Sequence, residues 1–471
     1  MELGRISTGI PCLDQIIGGG FPRGSLILLA GNPGTGKTVF SAQFIHRGAS
    51  EYGENGVYVS FAESRDVFYN HMHGFGFDFE KLEEGGRFKF LDMVTVREEG
   101  VSTMLEMVLG EVSNLKAKRL VVDSFSALAH AFEEPIDARI ILHTILGKIV
   151  RQQGCTTLLI VETPTGVERI GMGMEEFVAD GAIRLLRHEH EGRLLRELEV
   201  LKLRGAEVGQ PKSAFTIKGG FKVFPPLTVK EIEGPVKYNV IPHPETHLSS
   251  GIQGLDEILN HGFRRGTYNL IEVGRDVAFP LIRLVRPTIC NFANQGHGVA
   301  ILPPRGISAH RIKYHLVPPL EDETFNRYVR VVDFGDDDKD PHVLALKGKS
   351  VEEDLETFWS AVSKLRELTG KTVLSVVGVD SVEYMYGREE GLKILGRDIT
   401  LIRNREDVRI NFVRPTIAIA DQLRALVDIY LKVDEIDGAL FLYGVKPKTP
   451  IYSFDVLTQR GLSEVKLTPI V

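Results

Sequence analysis

The chain has 471 residues, 43% hydrophobic and 25% charged, with 56 basic against 63 acidic side chains and a net charge of −7. That length is too great for one ordinary core and suits two domains of a little over 200 residues each, while the acidic balance argues against a protein built to coat nucleic acid. The three scattered cysteines, Cys12, Cys155 and Cys290, offer no disulfide framework and no paired metal-ligand spacing. No run approaches the roughly 20 apolar residues that cross a bilayer, and MELGRISTG lacks the n- and h-regions of a secretory leader. These features point to a cytoplasmic protein without membrane insertion.

In chain order, residues 7–24 read STGIPCLDQIIGGGFPRG, and residues 249–266 repeat the phrase as SSGIQGLDEILNHGFRRG. Gly9 aligns with Gly251, Asp14 with Asp256 and Phe21 with Phe263, all at one offset (251 − 9 = 242). The first copy continues with an apolar strand at 25–31, then a glycine loop and a helix from 38 to 48. Further strands are predicted at 56–61, 119–125, 156–163, 181–186 and 196–204, with a helix at 136–152. Short β-rich runs alternating with helical ones are the signature of a mostly parallel α/β sheet covered by helices. From 224 to 244 the chain carries Pro225, Pro226, Pro235, Pro242 and Pro244, and proline resists both helix and central strand. The expected division is therefore a first domain at 1–224, an extended linker at 225–246 and a second domain at 247–471. In the second copy, runs at 267–273, 372–381 and 438–444 match strands of the first.

The loop Gly31-Asn32-Pro33-Gly34-Thr35-Gly36-Lys37-Thr38 fits GxxxxGK[ST]. Its glycines let the backbone wrap around phosphates at a helix N-terminus, Lys37 supplies a cation to them, and Thr38 takes a place on Mg²⁺. The competing reading is a tight turn with an exposed lysine. The position after an apolar strand and before a helix favours the phosphate loop. Asp123 ends the strand RLVVD, which puts a carboxylate at the sheet edge where it can orient the metal. Glu63, in SFAES, suits either the polarisation of an attacking water or a helix N-terminus.

Together STGIPCLDQIIGGGFPRG, GNPGTGKT, YVSFAES, LVVDSFSAL, GMEEFVADGAIRLL and LEVLKLRG resemble the KaiC-like branch of the RecA/RadA superfamily, in the expected order over most of residues 7–217. The resemblance implies two tandem RecA-like P-loop domains. It also implies ATP with Mg²⁺ bound between the subunits of a homo-oligomeric ring, commonly a hexamer, slow hydrolysis, and regulatory protein partners. Family members place a lysine and an arginine from a neighbouring subunit on the nucleotide, and the matching residues are Lys202 and Arg204. Residues two apart on a strand share a face, so both cations are expected to project together. Where the family has two adjacent glutamates this chain has Ala62-Glu63, so turnover is expected to be slow. A nucleotide-gated scaffold with little hydrolysis is the alternative. A DNA-handling ATPase is a further one, weakened by the single arginine and three glutamates of 163–178.

In the second copy the same offset sets Phe279-Pro280 against Lys37-Thr38, and Phe441-Leu442-Tyr443-Gly444 aligns with Lys202-Leu203-Arg204-Gly205. Asp380 still resembles Asp123. This half is expected to be an ATP-dead binding or ring-stabilising module. It lacks a serine-threonine pair near its final strands, so self-phosphorylation is not expected. His71-Met72-His73 and His188-Glu189-His190 are expected to be surface histidines, and Asp336-Asp337-Asp338 a solvated loop.

Overall fold

In the computed structural model the described residues are 4–93, 101–130, 145–163, 178–227, 238–278, 280–317, 320–334, 340–459 and 462–471. The chain divides into two compact units. The first holds Met1–Pro226 with Asp437–Ala439 and Pro469–Val471, and the second holds Leu227–Ile436 with Leu440–Thr468.

The first unit is built on β1 (Leu26–Gly31), β2 (Gly56–Ser60), β3 (Phe88–Asp92), β4 (Arg119–Asp123), β5 (Thr156–Glu162), β6 (Gly181–His190), β7 (Arg193–Leu203), β8 (Lys212–Thr216) and β9 (Lys222–Val223). They form one sheet in the order β9-β8-β7-β6-β1-β5-β4-β2-β3. The strands from β6 to β3 in that order run parallel, and β7, β8 and β9 extend the sheet antiparallel. All six residues of β1 are buried, as expected of a central parallel strand covered on both faces. Separate apolar clusters cover the two faces. One contains Ile27, Leu29, Phe40 and Phe44; the other contains Leu26, Leu28, Val59 and Val122. Against the first face lies α1 (Lys37–Glu51), which buries Val39, Phe40, Phe44 and Ile45. Two further helices are α2 (Arg65–His73) and α3 (Val101–Asn114).

The second unit repeats the plan with β10 (Tyr268–Val273), β11 (Val299–Leu302), β12 (Val329–Phe334), β13 (Val343–Leu346), β14 (Leu374–Gly378), β15 (Val408–Val413), β16 (Ile429–Ile436), β17 (Ala439–Lys446), β18 (Ile451–Gln459) and β19 (Leu462–Pro469). Read from the other end, its order β19-β18-β17-β16-β10-β15-β14-β11-β12-β13 is that of the first sheet with one added edge strand. Its long helices are α4 (Leu281–Asn294), α5 (Val351–Thr369) and α6 (Val379–Arg405). Duplication is thus visible in topology as well as in the repeated phrase. These are tandem RecA-like α/β sheets.

Several expectations need adjustment. The strand expected at 181–186 runs on to His190, and the one expected at 196–204 begins at Arg193 and stops at Leu203. The reason is mutual: β6 and β7 form one long antiparallel pair, registered from Gly181↔Leu203 to His190↔Arg193. Of the helix expected at 136–152, residues 145–152 form a π-helix and 136–144 lie outside the described residues. Of the proline-rich segment, 228–237 lies outside them as well. Its later part is fastened to α4, because Asn291 Oδ1 accepts from Ile241 N (2.9 Å) and Gln295 Oε1 from His243 N (3.1 Å). Phe279, Asp336-Asp337-Asp338 and 164–177 also lie outside the described residues.

Candidate nucleotide site

β1 delivers the chain at Gly31 to a loop that turns directly into α1. Gly34 (φ 77°) and Gly36 (φ 100°) sit in the left-handed region, which only glycine adopts without cost. A Cβ on Gly31 would lie 2.6 Å from the Leu185 carbonyl oxygen. Asn32 and Thr35 brace the loop: Asn32 Nδ2 donates to Thr163 O (3.0 Å), and Thr35 Oγ1 to Asn32 O (2.8 Å). Lys37 Nζ folds back onto the loop, donating to Gly31 O (2.8 Å) and Asn32 O (3.0 Å). Its ammonium is thus held by neutral carbonyls at the mouth of the loop. Burial lowers its pKa, and the charges of Glu162 and Asp123 oppose that shift.

Asp123, the last residue of β4, is 7% exposed. Its Oδ2 accepts from Thr38 Oγ1 (3.1 Å) and from Tyr58 OH (2.6 Å). Burial raises the carboxyl's pKa, partly offset by those two hydroxyls and by Lys37, while the like charge of Glu63 adds to the rise. A hydroxyl and a buried carboxylate in contact beside a lysine form a donor set that suits a magnesium-bound phosphate. The glycine conformations and the steric limit at Gly31 suit the close approach of phosphate oxygens.

Glu63 stands after β2. Ser60 Oγ accepts from Glu63 N (3.0 Å) and donates to Glu63 O (2.8 Å), which fixes the turn. The side chain is 34% exposed, and Oε2 lies 3.3 Å from His71 Nδ1 on α2. Lys37, Thr38, Asp123 and Glu63 therefore gather at the carboxyl edge of the parallel strands, where open α/β sheets take their ligands.

Lys202 and Arg204 do not join them. Leu203 pairs with Gly181 at the start of β6, and Gly181 faces Ile27 near the start of β1. The strand from Ile27 to Gly31 covers about 13 Å, so Arg204 lies at the opposite, amino edge of the sheet. There its Nη1 is 3.5 Å from Asp180, with the side chain 58% exposed, and Lys202 Nζ donates to Ala179 O (2.7 Å). β7 closes at Leu203 and Arg204 opens the following turn, its N–H still donating to Asp180 O (2.8 Å).

Three neighbours of the loop escaped the sequence reading. Tyr58 braces Asp123. Glu162 ends the apolar strand TTLLIVE in the way Asp123 ends RLVVD, a signal that was open to reading. Arg196 is 6% exposed, and its Nη1 donates to Gly34 O (2.9 Å). No sequence signal marks it, since its role comes from the β6–β7 pairing.

In the second unit the corresponding region differs. Asp380 lies on the first turn of α6 rather than at a strand end, and its carboxylate accepts from backbone N–H groups of Arg305 (3.2 Å) and Ser381 (3.1 Å). Pro280 precedes α4. Phe441 and Tyr443 are fully buried on β17.

A KaiC ATPase family model matches residues 6–228. A UPF0273 protein of Methanopyrus kandleri is 34% identical over 252 residues, which span 50% of this chain and 98% of that protein. The chain belongs to the KaiC-like ATPases. A UPF0273 protein of Methanocaldococcus jannaschii is 32% identical over 241 residues, 48% of this chain and 98% of that one. The circadian clock oscillator protein KaiC of Thermostichus vulcanus is 30% identical over 274 residues, 56% of this chain and 50% of that protein. A crystal structure of a KaiC-like protein from Pyrococcus horikoshii has 39% identity, covers 47% of this chain and all of its own, and superposes with a TM-score of 0.43. As in other KaiC-like ATPases, the first unit carries a P-loop nucleotide site. No helix among the described residues is long and apolar enough to cross a membrane.

Proposed function

We propose that the first unit binds ATP with Mg²⁺ and hydrolyses it slowly at an interface completed by a second copy of the chain, in a cytoplasmic ring, a hexamer by family resemblance. One observation carries this reading: Arg204 and the phosphate loop sit at opposite edges of the same sheet. An exposed arginine that cannot reach its own loop is placed to reach a neighbour's, where it would stabilise charge developing in phosphoryl transfer. Lys202 would accompany it. Within the chain, Gly31 to Thr38 hold the phosphates and Thr38 with Asp123 holds the metal. Lys37 neutralises charge, and Glu63 orients or deprotonates the attacking water. The second unit, with a proline before α4 and buried aromatics in place of both cations, serves as an ATP-dead binding or scaffold module for regulatory partners. Its departures from the first site also make self-phosphorylation unsupported.

The test is ATP turnover measured together with assembled mass, with and without Mg²⁺. Nucleotide-dependent assemblies with slow turnover that Glu63→Gln abolishes support the reading. Turnover by a strictly monomeric protein would overturn it. A second reading, a nucleotide-gated scaffold, is favoured by Ala62 in place of an acid and by the 3.3 Å approach of His71 to Glu63. Assemblies that bind ATP and leave it intact would select it. The nucleic-acid reading gains no support from the described residues.

A further inference from the structure

Tyr58 stands in the middle of β2 among aromatic rings: Phe68 of α2 lies 4.5 Å away and Phe90 of β3 5.8 Å, centroid to centroid. It is fully buried. A phenylalanine would fill such a place with no oxygen to satisfy, because a buried phenol costs free energy unless its hydroxyl finds a partner. Here the partner belongs to the nucleotide site. Tyr58 OH donates to Asp123 Oδ2 (2.6 Å), and Ser41 Oγ on α1 lies 3.2 Å from the same hydroxyl. Register explains the reach. Val121 pairs with Tyr58, and Asp123 with Ser60, on neighbouring parallel strands, so the carboxyl lies about 6.6 Å further along the sheet than the Tyr58 backbone. Residues two apart on a strand share a face, and Val121 and Tyr58 both belong to the apolar cluster under α1. Asp123 therefore projects on that side, where the tyrosine side chain meets it from within the core.

Two hydroxyls thus converge on Asp123 Oδ2, and they are not equal. At 2.6 Å the Tyr58 bond has the length of a charge-assisted O–H···O⁻ contact, whereas Thr38 Oγ1 stands further off at 3.1 Å. Thr38 is also a candidate metal ligand, so its hydroxyl has a second demand on it. Tyr58 has none, and is left as the firmer hold on the carboxylate. Among the described residues Asp123 Oδ1 accepts no hydrogen bond. Hydrogen bonds that orient a metal-binding carboxylate from outside the coordination shell are worth roughly 10–100-fold in metal affinity.

We propose that Tyr58 is a positioning residue for the metal site: its hydroxyl fixes Asp123 with Oδ2 on Thr38 and leaves Oδ1 available to Mg²⁺. This rests on the reading of the first unit as a Mg²⁺-ATP site. The experiment is calorimetric titration of the full chain with ATP, in EDTA and at saturating Mg²⁺, for the parent, Tyr58→Phe, Asp123→Asn and the double variant. In the parent, Mg²⁺ is expected to tighten ATP binding. Tyr58→Phe removes one oxygen and keeps the ring. It is expected to cut the gain from Mg²⁺ about tenfold and to leave the metal-free affinity within about twofold of the parent's, which also shows the site to be folded. In the Asp123→Asn background, Tyr58→Phe should change neither affinity by more than about twofold, because a residue that acts through Asp123 has nothing left to position. An undiminished Mg²⁺ gain in Tyr58→Phe would overturn the proposal. So would an equal loss of metal-free affinity in both backgrounds, which would give Tyr58 a structural role alone. A parent that binds ATP identically with and without Mg²⁺ would overturn the nucleotide-site reading, and the proposal with it.

Discussion

Burial pushes the Asp123 carboxyl up, and the hydroxyls of Tyr58 and Thr38 only partly restore it. A carboxyl whose folded-state pKa is raised contributes most to stability in acid, below its unfolded value. That contribution is lost as the pH rises through the folded value. The nucleotide-free protein therefore carries a cost at neutral pH that a metal ion would relieve. Asp123→Asn should melt a few degrees higher than the parent at pH 7 without ligand, with the gap closing towards about pH 4. The same variant should lose the added stability that saturating Mg²⁺-ATP gives the parent, on the order of 2–3 kcal/mol at a hundredfold excess over Kd. Differential scanning calorimetry reads both. Lys37 makes the complementary case, since its ammonium bonds only loop carbonyls. Lys37→Ala removes a charge-assisted contact to phosphate, so ATP affinity should fall by about a hundredfold, while the melting temperature without nucleotide stays close to the parent's. Unchanged affinity by calorimetry would move the nucleotide elsewhere.

Gly48, inside α1, sets helix propensity against packing. Alanine in place of a helix-interior glycine gains about 1 kcal/mol from propensity alone. Here an added Cβ would lie 2.2 Å from Nε and 2.3 Å from Cδ of Arg119. Arg119 is fully buried at the start of β4, donating to Phe44 O (2.7 Å) and paired with Glu54. It cannot yield without breaking that pair. Overpacking of this kind costs about 1–3 kcal/mol, so Gly48→Ala should be destabilised by ~1 kcal/mol net, read as a lower thermal midpoint by circular dichroism. A higher midpoint would mean that Arg119 swings aside. The same locality explains what the sequence discloses. β1, β2, β4 and β5 are short apolar runs bounded by turn residues, and their positions follow from pattern within a residue or two. The loop residues follow from their motif. What pattern does not carry is pairing: the length of β6 and β7 and the end of β7 before Arg204 come from the register of their hairpin, and the burial of Arg196 from its contact with Gly34, 162 residues away. In the second unit, β11, β12, β13 and β15 had no repeat-derived cue.

At the scale of the whole molecule the loop and Arg204 are on opposite edges of one sheet, and that arrangement makes a prediction no single-chain site would share. If each active centre takes its loop from one copy and its arginine from the next, Lys37→Ala and Arg204→Ala disable different halves of it. Each variant alone should be nearly inactive. Loss of a transferred arginine alone is worth about 10³-fold or more in phosphoryl transfer. When the two are mixed in equal amounts and allowed to reassemble, half the loops are intact, and half of those meet an intact arginine. Turnover should return to about a quarter of the parent's in a closed ring with random neighbours. The measurement is steady-state phosphate release before and after mixing, with assembled mass followed in parallel to establish that subunits exchange. A mixture that exchanges freely and stays inactive would place both residues in one chain's site, contrary to the separation of Arg204 from Gly31 along β1. Recovery to a quarter would make the interface the catalytic unit and give the exposure of Arg204 its reason.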